Sequence, residues 1–236
     1  PKRLAAMQSR AAATPEETRV LGKVLVWLNE NGTGDRGDLN VNGLLLEEGQ
    51  LYVTNAGKAL NVAKEGTVKA AGKGAKINML NKGTDGMNIN GLVTDTGKTL
   101  ITNQKGNLNI NGAVSNSSGM LQITNTGKAL NISEDASVTN DTNRTYITNK
   151  GAGGMDIDGT VTTLGHVVVT NRAGGMNIDG KVTSTKADAV LTNTGDKNTV
   201  IDGTVRANRV KVFAKDNDVV LGNTDTKQIA LNGLKN

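Results

Sequence analysis

The sequence GLVTDTGKTLITNQKGNLNI, residues 91–110, contains three short segments in which apolar and polar side chains alternate. The segments centre on Val93, Ile101 and Asn109. Such alternation predicts a short β-strand with one buried face. Gly, Asn, Asp and Lys lie between the segments, and they are typical of turns. This stretch therefore predicts two or three short strands that follow one another through tight turns.

The three segments recur in the same order through most of the chain, with a period of about 22 residues. Apolar residues do not show helical spacing, and the period is too short for a repeated helical hairpin. We therefore predict an all-β solenoid in which each coil contains two or three strands. Coils stack at ~4.8 Å, so nine or ten coils over residues 38–236 would give a rod about 45 Å long.

One Asn closes each apolar-Thr-Asn segment, and degenerate copies occur at Met79-Leu80-Asn81 and Leu221-Gly222-Asn223. In stacked coils, equivalent side-chain amides lie one strand spacing apart and can bond to one another. We predict that these residues form a structural ladder along one corner. Its members would be Asn55, Asn81, Asn103, Asn125, Asn149, Asn171, Asn193 and Asn223.

The composition agrees with a solenoid and excludes several other classes. No proline follows Pro15, as expected because a proline in mid-coil would interrupt the hydrogen-bond ladder. The chain has no Cys and one His, which excludes disulfides and thiolate or multi-His metal sites. No apolar run approaches the ~18 residues of a membrane span. The net charge is +5 but the lysines are spread along the chain, so we expect no nucleic-acid partner.

The first 37 residues do not repeat, and we expect them to form an arm or cap. Residues 14–17, Thr-Pro-Glu-Glu, carry a helix-start signature, which predicts a short helix up to Leu28. Alternatively, the β-prone residues 20–28 form a strand that joins the first coil. In both cases Trp27 would belong to a cap on the N-terminal end. No signal peptide is visible and the chain begins with Pro1, so we expect a mature or excised piece.

Residues 229–234 still follow the coil pattern, so no C-terminal cap is expected. Two explanations remain for the open end. The chain is an excerpt of a longer solenoid, or the end receives the N-terminal segment of the next subunit. The second arrangement would give a head-to-tail fibre, because heterologous contacts propagate without closing. We favour the fibre.

Coils such as residues 91–112 resemble the haemagglutination-activity repeats of filamentous-haemagglutinin-like bacterial adhesins and exoproteins. The resemblance covers about residues 38–236. It implies a right-handed parallel β-helix and a secreted, surface-associated fibre that mediates adhesion, aggregation or biofilm formation. The Asn-Pro-Asn-Gly motifs of the family's secretion domain do not occur here.

Few residues suggest a specific site. Asp158, Asp179 and Asp202 each precede a Gly in consecutive coils. In stacked coils these residues would form Asx turns, a column that binds calcium, or a carboxylate pair that acts as acid and base on a glycosidic bond. We expect Asx turns and no metal. His166 is expected to be a surface turn residue. A candidate ligand patch consists of Arg206, Arg209, Lys211, Phe213 and Lys215, in the segment 203–233 where the repeat is least regular.

The sequence therefore favours a secreted structural solenoid, a fibre subunit or adhesin stalk at the bacterial surface, with no catalytic residues and no cofactor. Its partners would be further copies of the chain, or a cell-surface glycan or protein. The main alternative is a protein of the same fold that binds or degrades polysaccharide. A lesser alternative is an ice-binding solenoid, because a column of Thr faces outward. Its members are Thr54, Thr102, Thr124, Thr148, Thr170 and Thr192.

Overall fold

The computed structural model describes residues 37–222, together with the backbone of three short strands outside that range. The described chain is an all-β solenoid of about eight coils of about 22 residues. Its strands form three parallel sheets, and each coil adds one strand to every sheet. The expected count of nine or ten coils included residues that lie outside the described part.

Sheet 1 has nine strands and sheet 2 has ten. Sheet 1 consists of β1 (Arg19–Val20), β4 (Leu44–Glu47), β7 (Thr67–Ala70), β10 (Leu92–Asp95), β13 (Ala113–Asn116), β16 (Ser137–Asn140), β19 (Thr160–Thr163), β22 (Lys181–Ser184) and β25 (Thr204–Arg206). Sheet 2 consists of β2 (Val24–Leu28), β5 (Gln50–Asn55), β8 (Lys76–Asn81), β11 (Lys98–Asn103), β14 (Leu121–Asn125), β17 (Thr145–Asn149), β20 (Val167–Asn171), β23 (Ala189–Asn193), β26 (Val210–Ala214) and β28 (Ile229–Leu231).

Sheet 3 has nine strands, and the chain runs from sheet 3 to sheet 1 to sheet 2 in each coil. It consists of β3 (Leu39–Val41), β6 (Ala59–Val62), β9 (Gly86–Ile89), β12 (Leu108–Ile110), β15 (Ala129–Ile132), β18 (Gly154–Ile157), β21 (Met176–Ile178), β24 (Thr199–Ile201) and β27 (Val219–Leu221). The three alternating segments of the sequence are thus the three sheets.

The core is a set of aliphatic columns enclosed by the three sheets. Ile101, Ile123 and Ile147 lie in register in successive strands of sheet 2, and each is 0% exposed. The neighbouring Thr124 points outward and is partly exposed. Burying each methylene contributes about 0.8 kcal/mol. Since every coil buries such residues against two neighbours, the core stabilises the rod coil by coil.

A column of glycines lets successive coils approach closely where the chain passes from sheet 3 to sheet 1. A Cβ on Gly180 would lie 2.1 Å from the carbonyl oxygen of Gly159, one coil earlier. A Cβ on Gly112 would lie 2.2 Å from the carbonyl oxygen of Gly91. No side chain fits at such a distance, which explains why Gly directly precedes so many strands of sheet 1.

Two predictions about the ends need correction. Residues 24–28 form strand β2, which pairs in parallel with β5, so the helix up to Leu28 is wrong there. The strand alternative is right for residues 24–28, whereas Val20 belongs to β1 in sheet 1. The segment Leu221-Gly222-Asn223 is not a degenerate copy of the sheet 2 motif, because β27 pairs with β24 in sheet 3. The sheet 2 strand that precedes β27 is β26, whose sequence VKVFA lacks the Thr-Asn signature.

Candidate functional site

Seven Asn side chains form a continuous hydrogen-bonded column inside the corner between sheets 2 and 3. The Nδ2 of each of the first six donates to the Oδ1 of the equivalent Asn one coil further along, over 2.7–3.0 Å. All seven are buried, with 0–2% exposure. This inner ladder consists of Asn55, Asn81, Asn103, Asn125, Asn149, Asn171 and Asn193.

Ladder amides also close the turns that follow them. Asn149 Nδ2 donates to the carbonyl oxygens of Gly151 and Gly154, both at 2.9 Å, and its Oδ1 accepts the N–H of Gly151 at 3.2 Å. Ala214 lies in register with Asn193, and Asn193 donates to the carbonyl of Lys197 instead. Asn223 lies outside the described residues. The inner ladder is therefore a structural element that satisfies buried polar groups.

A second amide column runs along the outer face of sheet 3. Here each Nδ2 donates to the Asn one coil earlier, at 2.8 Å, so the direction is opposite to that of the inner ladder. This outer ladder consists of Asn40, Asn61, Asn88, Asn109 and Asn131. In the sequence, the apolar-Asn-apolar motif indicates this column, because the middle residue of a three-residue strand points away from the core.

Asp156 interrupts the outer ladder. It lies in register with Asn131 and accepts from Asn177 Nδ2 at 3.2 Å. An ionised carboxylate has no proton to donate to Asn131. Burial, and then the negative charges of Asp158 and Asp179, raise the pKa of Asp156 above its ordinary value. The interruption therefore concentrates negative charge at this point of sheet 3.

The aspartates of the predicted column leave sheet 3 in consecutive turns. Asp179 Oδ2 accepts from Asn177 Nδ2 at 3.0 Å, and Asp158 lies near enough to Asp156 to raise its pKa. Asp202 holds the equivalent place after β24 and is exposed. Among residues 37–222, no group of three or more His, Asp and Glu is placed to hold a metal ion.

The predicted ligand patch is divided between two sheets. Arg206 ends β25 in sheet 1 and is exposed, whereas Lys211 and Phe213 point outward from β26 in sheet 2. Lys215 is exposed in the turn that follows β26. Arg209 precedes β26 and pairs with Asp188. In the described part of this segment, β25, β26 and β27 continue the three sheets as the preceding coils do.

Arg209 and Asp188 form an ion pair across successive coils. Arg209 Nη2 lies 2.7 Å from Asp188 Oδ2, and Arg209 Nε donates to Asp188 Oδ1 at 3.2 Å. The bidentate contact holds the pKa of Asp188 below its ordinary value. The backbone N–H of Asp188 donates to Nδ1 of His166 at 3.3 Å. His166 therefore has a structural contact at the corner between sheets 1 and 2.

The outer face of sheet 2 carries three of the four aromatic residues of the chain. Tyr52, Tyr146 and Phe213 occupy outward, partly exposed positions, and Trp27 lies in register with the outward residue Thr54. Lys76 Nζ lies 5.1 Å from the centre of the Tyr52 ring. The predicted Thr column follows the same face, whose other outward column holds Tyr, Asn, Leu, Gln and Val.

A shallow depression of about 670 Å³ lies on the outer face of sheet 3 and the turns before it. Its polar lining includes Asn131, Asp156, Asn177 and Lys197, and Val200 contributes an apolar wall. The depression thus coincides with the break in the outer ladder.

The fold and its surfaces define a β-solenoid repeat protein. No family model, curated protein or solved structure matches the chain. In the part of the chain that the structure describes, no helix has the length and apolar character needed to cross a membrane.

Proposed function

We propose that the chain is a structural rod, either a fibre subunit or the stalk of a secreted adhesin that serves surface adhesion, aggregation or biofilm formation. One observation carries this proposal: parallel pairing runs without a break through every coil from β3 to β27. A solenoid of this kind holds its two ends a fixed distance apart, at ~4.8 Å per coil. The resemblance to haemagglutination-activity repeats supports the same function.

Parallel strands also favour end-to-end assembly. All strands of a sheet run in the same direction, so the first and last strands of two copies can pair in the geometry that the sheet uses internally. The backbone of β1 and β2 continues sheets 1 and 2 beyond the first full coil, and β28 continues sheet 2 at the other end. We propose that the N-terminal segment makes the contact to the next copy.

The test compares the full chain with a deletion of residues 1–28, which removes β1 and β2. Electron microscopy and light scattering follow assembly, and circular dichroism follows the β structure. We expect filaments from the full chain, and loss of filaments with retained β signal after the deletion. A matched substitution in the middle of sheet 1, Thr162→Lys, should leave filament length unchanged. A full-length chain that stays monomeric at high concentration would overturn the fibre proposal.

Glycan binding is a second candidate function, and the outer face of sheet 2 favours it. Tyr and Phe rings on a flat face can stack against sugar rings, and the adjacent Thr hydroxyls can bond to sugar hydroxyls. A glycan array with Tyr146→Ala and Phe213→Ala tests this site, with Thr94→Ala on sheet 1 as control. Binding that survives both aromatic substitutions, or that is absent from the full chain, removes the candidate.

A further inference from the structure

Sheet 3 lies between two edges of opposite charge. The turn before each sheet 3 strand, from β6 to β27, contains one Lys or Arg, and each of these side chains is exposed. This basic edge consists of Lys58, Lys82, Lys105, Lys128, Lys150, Arg172, Lys197 and Lys215. Four aspartates share these turns, at Asp85, Asp196, Asp216 and Asp218, so the edge keeps an excess of positive charge.

The opposite edge of sheet 3 is acidic over four consecutive coils. The turns after β15, β18, β21 and β24 carry carboxylates and no cation. This acidic edge consists of Glu134, Asp135, Asp158, Asp179 and Asp202. In the same four coils a Lys or Arg precedes the sheet 3 strand. Each of these four strands therefore begins after a positive charge and ends before a negative one.

The face between the edges is polar and concave. The outer ladder runs along it as far as Asn131. In the next three coils Asp156, Asn177 and Val200 take its place and line the depression of about 670 Å³, in the same coils as the acidic edge. From β3 to β15 the column of Asn is suited to packing against an identical column, because rows of equal side chains interdigitate at the strand spacing.

We propose that sheet 3 binds sheet 3 of a second copy, with the two rods side by side and parallel about a two-fold axis along the rod. Rotation by 180° about that axis exchanges the two edges and keeps each coil at its own height. The basic edge of one copy then faces the acidic edge of the other. An antiparallel face-to-face copy would instead bring like edges together, and a polyanion would meet the acidic edge.

The dimensions suit a protein dimer. The nine strands of sheet 3 are separated by eight spacings of ~4.8 Å and so extend about 38 Å, and six extended residues across the face and its edges span about 20 Å. The product, about 760 Å² per copy, is close to the ~800 Å² per partner of a standard interface. Charged edges mainly select the orientation and make association dependent on salt. The pairing is lateral, so it goes beyond the end-to-end assembly proposed above.

Two charge-reversed variants test the pairing. In the first, Lys128, Lys150 and Arg172 are replaced by Glu; in the second, Asp135, Asp158 and Asp179 are replaced by Lys. Each variant alone should dimerise at least about 100-fold more weakly than the parent, because both edges then carry the same sign. An equal mixture should restore dimers, because the two variants complement each other. Sedimentation velocity measures the species, and circular dichroism confirms folding.

The control reverses charges on another sheet, with Lys69→Glu and Lys181→Glu on sheet 1, and should leave the dimer unchanged. Electron microscopy separates the two kinds of assembly, because lateral pairing doubles the width of the rod and end-to-end contact increases only its length. A parent chain that never exceeds the width of one rod would overturn the inference. So would a mixture that fails to dimerise, or bundles wider than two rods.

Discussion

Asp156 interrupts the column of side-chain amides on sheet 3. We predict that Asp156→Asn stabilises the protein at neutral pH by about 1 kcal/mol. The introduced amide would supply the missing donor to Asn131, and the loss of the carboxylate would remove repulsion from Asp158 and Asp179. The folded-state pKa of Asp156 is raised, so the carboxyl costs stability above that pKa and the cost disappears as the pH falls through it.

Thermal unfolding of the parent and Asp156→Asn proteins from pH 7 to pH 3 measures this difference. The advantage of the variant should shrink toward the acid end, where Asp156 is protonated and can donate. The matched control is Asn131→Asp, which should destabilise at pH 7 by a similar amount. A difference that stays constant over the pH range would contradict this explanation.

The inner ladder should tolerate a carboxylate far less well. Asn149→Asp removes the donor to Asn171 and to the carbonyl oxygens of Gly151 and Gly154. The substitution also places a negative charge at a site with 0% exposure. We expect a loss of several kcal/mol at pH 7, with partial recovery in acid. Urea denaturation measures the loss of stability. If Asn149→Asp and Asn131→Asp destabilised the protein equally, the proposed effect of burial on the inner ladder would be wrong.

At the scale of the strands and turns, the glycine column makes a prediction of its own. Gly180→Ala places a Cβ 2.1 Å from the Gly159 carbonyl oxygen, so the coils must separate locally. We expect a loss of about 1–3 kcal/mol, the range of mutations that overpack a tightly fitted site. Gly37→Ala is the control, because its Cβ would meet nothing within 4 Å. Equal melting temperatures for the two variants would contradict the close approach.

The sequence predicts the strands well where each coil repeats its motif. Alternation around Ile101 and Asn109 is enough to place buried and outward residues, because the strand period is two. The motif does not identify strand β26, because Phe213 and Ala214 replace the Thr-Asn pair, while the nearby Leu221-Gly222-Asn223 imitates the motif. A motif match identifies a strand, but only the pairing with its neighbours assigns it to a sheet.

The charged edges were harder to predict than the strands. Their cations stand at different offsets from the ladder Asn: Lys82 follows Asn81 directly, whereas Lys58 follows Asn55 by three residues. An alignment of the coils at a constant repeat length therefore does not place these cations in one column. They share an edge only because every turn returns the chain to the same corner of the solenoid. The aromatic face of sheet 2 has the same origin, since its residues lie far apart in the sequence.

For the whole molecule we predict that stability does not depend on a metal ion. The core and the inner ladder hold successive coils together, and among residues 37–222 no acidic group is arranged as a metal site. Adding EDTA should leave the melting temperature unchanged, and adding calcium should not raise it. A fall of several degrees on chelation would mean that Asp158, Asp179 and Asp202 bind calcium after all.

The stacking of coils along one axis also gives the rod a mechanical property. The backbone hydrogen bonds between coils lie nearly parallel to the rod, so a pull on its two ends opens them one coil at a time. Each coil contributes ~4.8 Å while folded, but its roughly 22 residues span about 75 Å when extended. Force spectroscopy should therefore show repeated steps of about 70 Å, and the rod would act as an extensible tether that lengthens about fifteenfold before the chain is taut.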